Sequence, residues 1–158
     1  MANAPEFDLQ TAHRYFSADC FNRAWELIEK AERTSAEEQQ MIHLNQASTW
    51  HWTQREDCSD RNLSVGYWQA SRIYAVLGEA ENAQKYAQLS LDRSSPEEPF
   101  YRGYAYEALA RAAAAGGNRK QVKAYGAEAR RLAELVQDEE ERRILLDDLG
   151  TILIPHSS

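Results

Sequence analysis

The stretch NLSVGYWQASRIYAVLGEAENAQKYAQLSL, residues 62–91, decides the fold. Tyr67, Trp68, Ser71, Tyr74 and Leu77 before Gly78, and Ala83, Tyr86, Ala87 and Leu91 after it, recur at the spacing that keeps one stripe along one side of a helix. Gly78 breaks the pattern with the residue type that enters the left-handed conformation without a Cβ penalty, a common helix end. So short a connection forces the two helices to lie antiparallel, as a helical hairpin.

The pattern returns 39 residues on, where Gly117 takes the place of Gly78. At that offset Tyr67 pairs with Tyr106, Arg72 with Arg111, Ala83 with Val122, Tyr86 with Tyr125, and Ser71 with Ala110. An aromatic anchor, a small residue a turn later, a glycine turn, a small apolar residue and a second aromatic recur in order. Stacked helix pairs of this kind usually offer a surface to a partner and do no chemistry themselves.

Upstream, no glycine precedes Gly66 and the only proline before Pro96 is Pro5, so long helices are expected there. Leu9, Ala12, Phe16, Cys20, Ala24, Leu27 and Ile28 mark the first, from residue 9 to about 30, opened by Asp8. Phe21 and Trp25 widen its stripe toward more than one neighbour. Ser35 with Glu38 is a capping-box pattern that opens the second, to about residue 54. It places Met41, Leu44, Ser48 and His51 on one line and His43, Ala47 and Trp50 on the next.

The third and fourth helices are expected over about 63–77 and 80–91, followed by a loop at Ser94, Ser95, Pro96 and Pro99. An alanine-rich fifth helix spans about 100–115, and Asn118 caps a sixth that extends to about 136. Asp138 with Glu141 caps a seventh carrying Ile144, Leu145 and Leu149, its acidic start matched to the helix dipole.

The chain has 158 residues, 43% of them apolar, which suits one domain with a continuous core. A net charge of −7 and the lack of any basic run exclude nucleic acid as an expected ligand. Cys20 and Cys58 are too few for a disulfide framework and read as reduced thiols. Neither a leader at the N-terminus nor an apolar run of about 20 residues is evident, so no membrane contact and a cytoplasmic location are expected.

Tyr67, Ser71, Tyr74, Gly78, Ala83 and Leu91 resemble the aromatic, small, tyrosine, glycine, alanine and leucine positions of tetratricopeptide repeats. That family's period is about 34 residues, and the loop around Ser94 to Pro99 stretches this one. The whole chain is also similar to a group of small bacterial proteins with a histidine- and tryptophan-rich second helix, a resemblance that brings no activity with it. The fold implied is all-α, a right-handed stack of antiparallel hairpins with about seven helices. One domain would cover residues 9–154, with its clearest repeats at 63–91 and 102–133, a capping helix at 139–149, and tails at 1–8 and 155–158.

The resemblance places the first helix of each pair on a concave side. Trp68 and Arg72 would line it from one repeat, Glu107 and Arg111 from the next, flanked by Tyr104 and Val65. Arginines on neighbouring helices would stand about 10 Å apart, spaced to grip successive carboxylates of an acidic peptide. Glu107 would weaken that field and could instead pair Arg111. The function expected is therefore a non-enzymatic protein- or peptide-binding scaffold with no cofactor, and a homodimer through the uncapped terminal faces is a further partner that the pattern allows.

The rival is a metal-assisted enzyme in the first helix pair. His43 and His51 lie about 12 Å apart along one helix, whereas zinc ligands sit about 2 Å from the metal. An antiparallel pair would bring His13 opposite the His51 to Thr53 level, so that the two histidines could meet, with Cys58 or Asp57 as a third ligand. No H-E-x-x-H, C-x-x-C, phosphate cradle or nucleophile elbow accompanies them.

Overall fold

The computed structural model describes residues 6–153. Seven helices occupy them: α1 Leu9–Ile28, α2 Ser35–Thr53, α3 Asp60–Val76, α4 Ala80–Arg93, α5 Pro99–Ala115, α6 Arg119–Ala133 and α7 Glu139–Gly150. No strand occurs among the described residues, and none of the helices there is long and apolar enough to cross a membrane. The expected tail at 155–158, and most of that at 1–8, lie outside the described residues.

Side chains cap the starts of α1, α2, α3, α6 and α7. Asp8 accepts from the amides of Gln10 and Thr11, and Asp138 from those of Glu140 and Glu141, as the sequence predicts. The capping box of α2 is formed one residue earlier than expected, by Thr34 and Glu37 in place of Ser35 and Glu38. Thr34 has the extended backbone of a cap, and Ser35 is already helical. A reciprocal cap between Ser59 and Asn62 starts α3 three residues before the predicted 63, and Pro99, expected in a loop, opens α5 as its first helical residue. At the other ends α1 stops at Ile28 and α6 at Ala133, short of the predicted 30 and 136, while α4 runs on to Arg93.

Gly78 and Gly117 end α3 and α5 with φ of +76° and +72°. After each, the next amide reaches back across the turn, Glu79 to the Tyr74 carbonyl and Asn118 to that of Ala113, both at 2.9 Å. The repeat is therefore physical. It extends to the aromatic pairs, since Tyr67 and Tyr86 have ring centroids 6.2 Å apart and their equivalents Tyr106 and Tyr125 stand 6.3 Å apart.

Each hairpin is antiparallel. In the α3 and α4 pair, Ser64 Oγ donates to the Ser90 carbonyl near one end, and Ser71 Oγ donates to that of Ala83 near the other. Successive hairpins then pack so that α1 touches α3, α3 touches α5 and α5 touches α7, whereas α2, α4 and α6 do not touch one another. Polar side chains stitch the first hairpin to the second: Asn45 donates to Gly66 O and Gln69 Oε1, and Gln69 donates to Phe21 O. Their buried amides thus have partners, without which they would destabilise the interface.

The predicted stripes hold at their centres and fail at the edge of the stack. Cys20, Ala24, Met41, Leu44 and Ser48 are buried. Leu9, Phe16 and Trp50 face outward instead, with His43, because among the described helices α1 and α2 touch only each other and α3.

Candidate functional site

The predicted concave-side residues converge on one carboxylate. Glu107 lies on α5 with its side chain fully buried, and its Oε2 accepts from the Trp68 indole at 3.1 Å. Its Oε1 accepts from Arg72 Nη2 at 3.1 Å and from Arg111 Nε at 2.7 Å. Arg111, one helical turn beyond Glu107, also donates to the Asp148 carbonyl and to Thr151 Oγ1 at the end of α7. Arg72 and Arg111 therefore share one carboxylate, and the expected grip on successive ligand carboxylates is replaced by this internal pairing. Burying one anion against two guanidiniums and an indole satisfies it where isolated burial would be prohibitive.

Aromatic rings extend this network across three helices. Trp25 of α1 stacks on Trp68 of α3 with centroids 5.3 Å apart, and Tyr104 of α5 meets Trp68 edge-on at 5.2 Å. The Arg72 guanidinium lies 5.7 Å and 5.5 Å from the Trp25 and Trp68 ring centroids. Tyr104 donates its hydroxyl to Asp148 Oδ2 at 2.7 Å, and burial, reinforced by that carboxylate, pushes its phenol well above the usual tyrosine range.

Beside the network opens an apolar slot of about 210 Å³. Val65 and Trp68 wall it from α3, Phe100 and Tyr104 from α5, and Ile144 from α7, over a floor of Ser64 and Ser90. The two serines donate to each other's carbonyls, so the floor offers no unsatisfied donor. A second hollow, lined by Phe21, Trp52 and Arg61, shares Val65 and Tyr101 with the slot and lengthens it toward α1.

The histidines behave as the antiparallel register predicts. His13 and His51 meet with their Nδ1 atoms 2.8 Å apart, one ring donating to the other. Phe16 stacks on His51 at 5.3 Å, and Trp50 lies edge-on to both imidazoles. Burial first, and the neighbouring His13 second, hold the His51 imidazole below its ordinary range. Cys58 does not join them: its thiol is oriented toward Ser59 O at 3.9 Å, and no group of three or more histidine, cysteine or carboxylate side chains able to hold a metal is found among the described residues.

Sequence reasoning found Trp68, Arg72, Tyr104, Glu107 and Arg111 but missed two members of the cluster. Asp148 sits two turns after Glu141, on the α7 face turned toward α5, and a helical projection of that face would have exposed it. Trp25 signalled itself only as a residue that broadened the α1 stripe. Comparison with protein-family models, with curated proteins and with solved structures finds no match to this chain.

Proposed function

We propose that this chain is a non-enzymatic binding or scaffold module, a tetratricopeptide-like right-handed stack whose concave face receives a peptide segment or a helix of a protein partner. The packing supports such a face: α1, α3, α5 and α7 touch in succession while the even-numbered helices stay apart, as expected if the odd row is on the inner side of a curve. The observation that carries the reading is the aromatic-walled slot of about 210 Å³ on that row. A preformed apolar recess beside a rigid polar network is the usual anchor point for an inserted side chain.

Trp68, Tyr104, Glu107, Arg72 and Arg111 act in this reading as one unit. Trp68 and Tyr104 contact the guest, while Glu107 with its two arginines holds the indole in place and Asp148 holds the phenol. The anchoring group of the partner is apolar, because neither guanidinium lines the slot and both are paired with Glu107.

Selection of short peptides from a random display library, with Ile144→Asp as the counter-target, tests the proposal. Ile144 is 38% exposed and lines the slot, so the carboxylate enters the recess without disturbing the core. Enriched peptides carrying an apolar anchor should bind the variant at least about tenfold more weakly. Equal binding to both proteins, or no enrichment, overturns it. The rival, a metal-assisted enzyme at His13 and His51, requires a stoichiometric ion, which elemental analysis of untagged protein decides.

A further inference from the structure

The slot opens at Phe100 and Tyr101 onto an adjoining hollow whose rim carries Glu97, Glu98, Asp138 and Glu141. These carboxylates come from two separate elements, the loop before α5 and the start of α7, and converge over one cleft. Helix capping accounts for part of them, since Asp138 Oδ1 accepts two α7 amides and the α7 dipole favours Glu141. Glu97 and Glu98 stand at the start of α5, with Glu98 its N-cap residue, yet the Glu98 side chain makes no cap hydrogen bond to α5.

Little positive charge offsets this rim. Arg61 lies over the Tyr101 ring at 4.9 Å and is paired with Glu98. Glu141 reaches Arg61 only through a longer-range attraction, and neither it nor Glu97 forms a salt bridge among the described residues. Arg142 turns toward the Val136 carbonyl, and Arg143 is engaged by Glu140 and Asp147. Exposed apolar groups accompany the acids: Leu135 is 51% exposed in the same hollow, and Ile144 lies at the slot mouth.

Apolar and anionic surfaces thus run side by side. We infer that the partner is a cationic amphipathic helix, its apolar side seated in the slot and its lysine or arginine side chains laid along the Glu97, Glu98 and Glu141 rim. The inference rests on the proposed function and supplies the chemistry of the partner which that reading leaves open. The overall charge of −7 acts in the same direction, drawing a basic segment toward the cleft and repelling an acidic one.

Three synthetic helical peptides with an identical leucine and phenylalanine face, and with lysine, glutamine or glutamate at the positions flanking that face, test it by calorimetric titration into the full chain. The lysine peptide should bind at least about tenfold more tightly than the glutamine one, with an advantage that shrinks as salt is raised. Glu97→Gln with Glu141→Gln should erase most of that advantage while leaving the glutamine peptide unchanged. If lysine and glutamine peptides bind equally and both lose affinity in Ile144→Asp, the charge assignment falls and the binding face stands. If no peptide binds, or Ile144→Asp has no effect, the binding face itself falls, and the inference with it.

Discussion

Trp68 and Glu107, 39 residues apart, are joined by a 3.1 Å hydrogen bond from the indole of one helix hairpin to the buried carboxylate of the next. The spacing equals the repeat offset, so this bond links equivalent levels of α3 and α5. Replacing Glu107 by Ala strands Arg72 and Arg111 together in a buried site. The expected loss is about 3–5 kcal/mol of unfolding free energy in urea denaturation. Glu107→Gln, which keeps an acceptor for Trp68, should lose less.

Gly78→Ala and Gly117→Ala should each destabilise the chain by about 1–2 kcal/mol, the cost of a left-handed backbone for a residue with a Cβ. A Cβ at either position meets nothing within 4 Å, so the backbone alone is responsible and the two losses should be similar. Chemical denaturation of both variants and of the double variant checks this. Near-additivity is expected, because the glycines belong to different hairpins.

Acidification should weaken the α1 and α2 pair. Folding lowers the His51 pKa, so the neutral ring is the form the fold prefers. That contribution is complete above the unfolded value of about 6.5 and fades as pH falls through the lower folded value. A second proton would also place N–H against N–H between His13 and His51. The melting temperature should therefore decline below about pH 6.5, and more shallowly in His51→Gln.

Tyr104 gives the opposite sign. Its phenol is held protonated by burial and by Asp148, so its contribution is intact below about pH 10 and is lost as pH rises further. Tyr104→Phe should cost about 1 kcal/mol at neutral pH through the lost bond to Asp148 and flatten the alkaline decline. The near-ultraviolet absorbance change on alkaline titration should be the same in variant and parent until the fold opens.

The sequence by itself determined the seven helices, the glycine turns and the repeat that joins Tyr67 to Tyr106 and Tyr86 to Tyr125, because periodicity and left-handed turns are local properties of neighbouring residues. It also brought His13 to the level of His51, since an antiparallel hairpin has one register once its turn is placed. The α2 cap shifted by one residue and the α3 start by three, because Thr34 has a near neighbour able to do the same work and the Ser59 cap with Asn62 lies before the apolar stripe begins. Only the tertiary structure decided that Arg72 and Arg111 share the Glu107 carboxylate, that Asp148 completes the cluster, and that an apolar slot with an acidic neighbour opens beside it. Those relations depend on the distance and rotation between whole hairpins, which side chains from three or four helices settle together and no single stretch encodes.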